Sequence, residues 1–171
     1  MVLKNNFVLG LILISTSCFG QRYTKVNDAA YATMLNTLLA HSVPEISVEE
    51  LAKEKENYIL LDAREKKEYK VSHLKGAKYV GYLGFSPKKV KELSKDKPIV
   101  VYCSVGYRSE KITERLKKMG YQEVYNLYGG IFEWVNQGNN VVTGEEADPT
   151  KQVHAYDKVW GAWLKQGDKV Y

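Results

Sequence analysis

The chain is poor in the residues that staple or metallate small proteins: 171 residues hold two cysteines, three histidines and four prolines. Cys18 and Cys103 stand too far apart for any paired-cysteine metal motif, and two cysteines exclude a disulfide scaffold. No Gly-rich phosphate loop and no dinucleotide fingerprint is present. The longest apolar stretch, Phe7 to Ile14, is too short to span a bilayer. Strong charge of one sign is also missing. The formal charge of +5 is spread over mixed segments such as Lys53-Glu54-Lys55-Glu56, which read as solvated surface rather than a nucleic-acid interface. Internal repeats and low-complexity tracts are absent. What remains, with 44% hydrophobic residues, suits one main globular domain.

Met1 to Gln21 has the three-part pattern of a secretory signal: Lys4, an apolar centre, then small and polar residues. Cleavage after Gly20 would release a soluble chain into an exported compartment such as a bacterial periplasm. The alternative is a lipoprotein with its lipid anchor at Cys18, although Ser15 stands where that pattern prefers an aliphatic residue. Either route leaves Cys103 as the one free thiol in an oxidising compartment, where an unpaired thiol needs burial or a use.

Alternation of short apolar runs with helical patterns organises the rest. Asn27 to Leu39 reads as a helix with Ala30, Met34, Leu38 and Leu35, Leu39 as its stripe. Ser47 caps a helix from Val48, with Glu50 completing a capping box. Tyr58–Ala63, Ala77–Tyr82, Pro98–Cys103 and Glu123–Tyr128 read as buried strands. Between them lie helical segments at Glu65–Val71, after Ser86-Pro87, and at Glu110–Met119. This βα alternation predicts an α/β fold with a parallel sheet, whose ligand crevice lies at the carboxyl ends of the strands. The Asp62-Ala63-Arg64 end, the Cys103 loop and the Gly129-Gly130 turn should therefore share one edge. In the tail, Val159, Trp160, Trp163 and Leu164 read as a helix that covers the core; His41 and His154 read as isolated surface residues.

Cys103 is the candidate catalytic residue. It closes the run Pro98-Ile99-Val100-Val101-Tyr102 and opens the loop Ser104-Val105-Gly106-Tyr107-Arg108-Ser109, which leads into a helix. A helix start turns backbone N–H groups and the positive dipole end toward one spot, and such a spot favours a thiolate or an anion. Gly106 permits the positive φ that such a curl requires. Arg108 adds a permanent charge with a planar donor fork. Ser104 and Tyr107 are placed to line the mouth.

Three separated stretches resemble the single-domain rhodanese-like sulfurtransferases. These are Leu61-Asp62-Ala63-Arg64 with Glu68-Tyr69 and Ser72-His73-Leu74-Lys75-Gly76-Ala77; Cys103 to Ser109; and Gly120-Tyr121 through Val124, Leu127, Gly129-Gly130 and Trp134. One departure is Lys75, where the family's turn usually has proline. The resemblance covers about Lys55 to Val142. It implies a rhodanese-like fold, a central parallel sheet of about four to five short strands with helices on both faces; the extra N-terminal and C-terminal helices read from the spacing lie outside it.

The expected organisation is a signal peptide over 1–20, an N-terminal helical extension over 21–53, the rhodanese-like domain over 54–144, and a helical tail over 145–171. The resemblance further implies a Cys103 persulfide as covalent intermediate, with no separate cofactor and no metal. Its partners would be a small anionic sulfur donor of the thiosulfate kind and a thiol or cyanide-like acceptor. Residues 104–109 would form the anion-binding loop, Asp62 and Arg64 would support it, and His73 would make a structural hydrogen bond.

Two rivals are set beside this. Phosphatases related to the family place five residues between cysteine and arginine, whereas Cys103 and Arg108 are separated by four, giving a cradle small for phosphate. A non-catalytic binding or persulfide-sensing module is the other.

Overall fold

The computed structural model describes residues 26–171. The expected signal segment and Cys18 lie outside the described residues. Five parallel strands form the central sheet in the order β1-β5-β4-β2-β3: β1 Glu45–Ile46, β2 Ile59–Asp62, β3 Lys78–Tyr79, β4 Ile99–Tyr102 and β5 Val124–Leu127. Ile99 and Val101 of β4 pack into one apolar layer, while Val100 and Tyr102 pack into the other. Such two-sided burial is why the run has no polar alternation.

One layer joins the sheet to α1 (Ala29–Leu38), α2 (Val48–Glu54) and α5 (Gly130–Asn136). The opposite layer holds Ile112 and Leu116 of α4 (Tyr107–Lys118) together with Val90 and Leu93. α3 (Lys66–Val71) follows β2. Both bonds of the Ser47–Glu50 capping box are formed.

Several expectations need correction. The buried centre of the N-terminal stripe is Tyr31, Leu35 and Leu39, with Met34 and Leu38 half-buried at its edge; Leu35 and Leu39 are as expected, and Tyr31 takes the place given to Ala30. Tyr31 is fully buried because its hydroxyl donates to the Gly129 carbonyl at 2.8 Å. The expected helix after Ser86 is a single 3-10 turn, Pro87–Lys89. Nor is the 21–53 stretch purely a helical extension: its β1 pairs with β5 at the sheet edge.

The tail differs most. Its first strand, β7 (Asp148–Thr150), pairs antiparallel with β6 (Val141–Thr143) at the end of the expected domain, and within the tail β8 (Gln152–His154) pairs parallel with β9 (Asp168–Val170). Only α6, Lys158–Gly161, is helical. Gly161 is packed closely, a Cβ built on it lying 2.8 Å from the Tyr171 hydroxyl. His154 is buried, not on the surface.

Candidate active site

The parallel sheet brings the ends of β2 and β4, and the turn after β5, to one edge. β4 ends at Tyr102, and the chain then turns sharply through Cys103 to Gly106 into α4. The Cys103 carbonyl accepts from Ile131 N–H at 2.9 Å, and the Ser104 carbonyl accepts from Phe132 N–H at 3.1 Å. Because a trans peptide points its C=O and N–H in opposite directions, these bonds turn the Ser104 and Val105 amides away from α5. Gly130 lets the two segments approach: a Cβ there would lie 2.4 Å from the Cys103 carbonyl oxygen, and its φ is +57°.

The sulfur side is fixed at Gly106. Its φ of +128° swings its amide onto the Cys103 Sγ, at 3.1 Å. Its carbonyl is pinned by the Asn126 Nδ2 amide at 3.1 Å and by Glu110 N–H at 2.9 Å. Asn126 is itself held by the Ser109 hydroxyl, which donates to Oδ1 at 2.6 Å. The amides that start α4 have no intrahelical partner and add the helix dipole to this spot. Of the amides expected to surround the sulfur, Gly106 N–H is the one in hydrogen-bonding position.

Arg108 does not project freely. Its guanidinium meets Glu68 of α3 in a two-pronged pair, Nη1 to Oε2 at 2.7 Å and Nη2 to Oε1 at 2.8 Å. Ser104 joins them, its hydroxyl donating to Glu68 Oε1 at 3.1 Å and accepting from Arg108 Nη2 at 3.0 Å. Burial alone would push the Glu68 carboxyl up. The Arg108 hydrogen bonds and charge, the Glu65 amide and the Arg64 charge overcome that and leave it at about 2. Burial likewise works against the Arg108 cation, yet Glu68 holds it firmly protonated.

Asp62 and Arg64, expected to support the loop, are both fully buried and bond each other. Arg64 Nη2 donates to Asp62 Oδ2 at 2.7 Å and also bonds the Ser72 carbonyl, tying β2 to the turn after α3. His73 stacks on Tyr69 with ring centroids 4.0 Å apart and exchanges backbone bonds with Val142, a structural placement. Among the described residues, no group of three or more His, Cys, Asp or Glu side chains is placed to hold a metal ion.

A cleft of about 400 Å³ opens over the loop, with Cys103, Ser104, Val105, Tyr107 and Arg108 on its floor and near side. Cys103 is 1% exposed and lines this cleft. Other parts of the wall come from outside the loop: Leu38, Glu65, Tyr82, Leu83, Tyr156 and Trp160. The sequence names none of these six as a site residue, Leu38 and Trp160 being read there as helix-packing residues, and it names Glu68 only within the family signature. Glu68 carried a signal, an acid four residues beyond Arg64 beside an arginine-bearing loop; Tyr156 carried none, since its position depends on nonlocal strand pairing.

The signature of the rhodanese-like domain family matches residues 47–137. This chain belongs to the rhodanese-like family. A relative from Bacillus subtilis (strain 168) named "Putative sulfur carrier protein YrkF" is 34% identical over 101 residues, covering 57% of this chain and 54% of the relative. A thiosulfate sulfurtransferase, GlpE, of Coxiella burnetii is 33% identical over 84 residues, covering 47% of this chain and 74% of that protein. Further relatives are named tRNA uridine(34) hydroxylase, and the chain spans 31% of one of them. The crystal structure of BH2092 from Bacillus halodurans superposes with a TM-score of 0.54 at 26% identity, covering 67% of this chain and 84% of that one. The five-stranded parallel sheet is thus the rhodanese-like fold, whereas Leu38, Tyr156 and Trp160 fall outside the matched segment.

Proposed function

We propose that this rhodanese-like protein is a sulfurtransferase in which Cys103 carries sulfane sulfur from a thiosulfate-like donor to a thiol or cyanide-like acceptor. The observation that carries the reading is the Cys103 thiol at the floor of the cleft, bonded by the Gly106 amide at the start of α4. In the first half-reaction the thiolate attacks the outer sulfur of the donor. The bond between the two donor sulfurs breaks, its electron pair leaves with sulfite or a sulfinate, and Cys103 becomes a persulfide. In the second, the acceptor attacks the terminal sulfur and the Cys103 thiolate is restored.

The fixed amide and helix start would stabilise the persulfide anion by being in place before it forms. Arg108 has both prongs of its guanidinium committed to Glu68, so it braces the loop rather than offering a free donor fork to the donor anion. The test is intact-protein mass after incubation with a sulfane donor, followed by cyanide. The expected result is a gain of one sulfur atom on Cys103, thiocyanate release on cyanide addition, and loss of both in Cys103→Ser. Absence of any Cys103-dependent sulfur gain, with thiosulfate or an organic thiosulfonate, refutes it.

A stoichiometric sulfur carrier is a second reading, favoured by the near-complete burial of Cys103. It predicts that loading occurs but does not repeat over many cycles.

A further inference from the structure

Five large hydrophobic side chains stand exposed among the described residues: Leu83, Tyr107, Tyr156, Val159 and Tyr171. Three of them, Leu83, Tyr107 and Tyr156, line the Cys103 cleft, and Val159 adjoins Trp160, which also lines it. Exposed apolar groups scattered over a surface need no explanation, but their gathering around one thiol does. The charge at the same place is unfavourable to a small dianion. Arg108 is the cation of the cleft wall, and Glu68 neutralises it, while Glu65 lines the wall as an additional acid.

Tyr156 is the most specific element. It has a φ of +67°, a region that bulky L-residues rarely adopt and that persists where the surroundings enforce it. Here they do: its amide donates to His154 Nδ1 at 3.0 Å, and the Asp157 amide bonds the Ala155 carbonyl at 2.9 Å. The outcome is a half-exposed ring whose centroid lies 5.3 Å from the Arg108 guanidinium carbon, covering the cation and presenting an aromatic wall to the cleft.

We infer that Tyr156, with Leu83 and Tyr107, makes this cleft selective for sulfane donors that carry a hydrocarbon or aromatic group and at most one negative charge. The inference rests on the sulfur-transfer reading of Cys103 and names its substrate class. For an organic thiosulfonate anion, the Cys103 thiolate attacks the terminal sulfur, the sulfur–sulfur bond breaks, and the organic sulfinate leaves with the bonding pair. Cys103 holds a persulfide anion, so atoms and charge balance with no further oxidant or reductant.

The experiment compares thiosulfate, methanethiosulfonate and benzenethiosulfonate as donors to the full chain, with cyanide as acceptor. Each kcat/KM is divided by the donor's rate with a simple thiol to remove intrinsic reactivity. The expected order is benzene over methane over inorganic, with about tenfold between the first and last, the factor that 1.4 kcal/mol carries. Tyr156→Ala should shrink that ratio to near unity, and Tyr156→Phe should restore it. Leu83 is 85% exposed, so Leu83→Ser tests the wall without a folding role and should reduce the ratio severalfold.

A normalised preference for thiosulfate, or variants that lower all three donors equally, overturns the inference while leaving Cys103 chemistry intact. Failure of every donor to load Cys103 instead overturns the sulfurtransferase reading itself.

Discussion

Replacing Glu68 with glutamine should weaken both the fold and the sulfur site, and the size of the effect follows from how the carboxylate is held. Glu68 is fully buried and accepts from Arg108 twice, from Ser104 and from the Glu65 amide. A carboxyl held at about 2 in place of its usual 4.5 stabilises the folded state by about 3 kcal/mol at neutral pH. Glutamine keeps the shape but offers one acceptor oxygen, and its NH₂ group faces a guanidinium that can only donate. Breaking a buried pair costs about 3–5 kcal/mol. The Arg108 side chain is 15% exposed and recovers some hydration, which lowers the expected loss to about 2–3 kcal/mol.

For a chain of this size that loss corresponds to a fall in Tm of about 4–12 °C. The assay is denaturant unfolding of wild type and variant between pH 7 and pH 2. Because the folded pKa is depressed, the Glu68 contribution is complete above about 4.5 and disappears as pH falls toward about 2. The gap between the two proteins should therefore be widest at neutral pH and should close on acidification. A loss below about 0.5 kcal/mol at pH 7, the ordinary effect of a surface substitution, or a gap that stays constant down to pH 2, refutes the reasoning.

Gly130→Ala should cut the rate of Cys103 loading at least tenfold and destabilise by about 2–3 kcal/mol, since its Cβ would meet the Cys103 carbonyl oxygen at 2.4 Å; mass spectrometry of loading and thermal melts read the two effects. Ser109→Ala leaves the buried Asn126 Oδ1 without its 2.6 Å donor and should cost about 1–3 kcal/mol in denaturant unfolding. Burial lowers the pKa of His154, with the charges of Lys67, Arg64 and Arg108 adding to this against an opposing Glu68. The unfolded chain then binds the proton first, so stability should be full above about pH 6.5 and decline as pH falls below it toward the depressed folded pKa. His154→Asn keeps an acceptor for the Tyr156 amide without titrating, and its unfolding midpoint should lack that part of the decline.

The parts of this molecule legible in the sequence are those governed by local chemistry. The β-branched run before Cys103, Gly106 at a positive φ and the Ser47–Glu50 box all declare themselves within a few residues. The parallel-sheet rule then carries Asp62, Cys103 and Gly130 to one edge. Tyr31 escapes a stripe counted on aliphatic residues and methionine, yet with its hydroxyl satisfied it packs as core. β8 and β9 are each three residues long, and their pairing joins His154 to Val170 across an intervening helix. No local periodicity encodes such a contact, so the position of Tyr156 was invisible. Glu68 was visible as an acid but not as the partner of Arg108, because its partner lies 40 residues away.

The segment β8–α6–β9 fastens upon itself, with its two strands paired and its helix capped by Asp157. It reaches the Cys103 loop with the Tyr156 ring over the Arg108 guanidinium, and Trp160 lines the same cleft. On the proposed reading, bond-making rests with Cys103 in the loop 103–109, while Tyr156 and Trp160 bring the tail's share of the cleft wall from a separate stretch. Inheritance can revise one while sparing the other: successive substitutions in the tail would retune which molecules enter without rewriting the bond-making apparatus. A fragment trimmed to residues 47–137 would keep Cys103 but lose Leu38, Tyr156 and Trp160 from the cleft wall, so on the proposed reading its donor preferences would differ from those of the full chain.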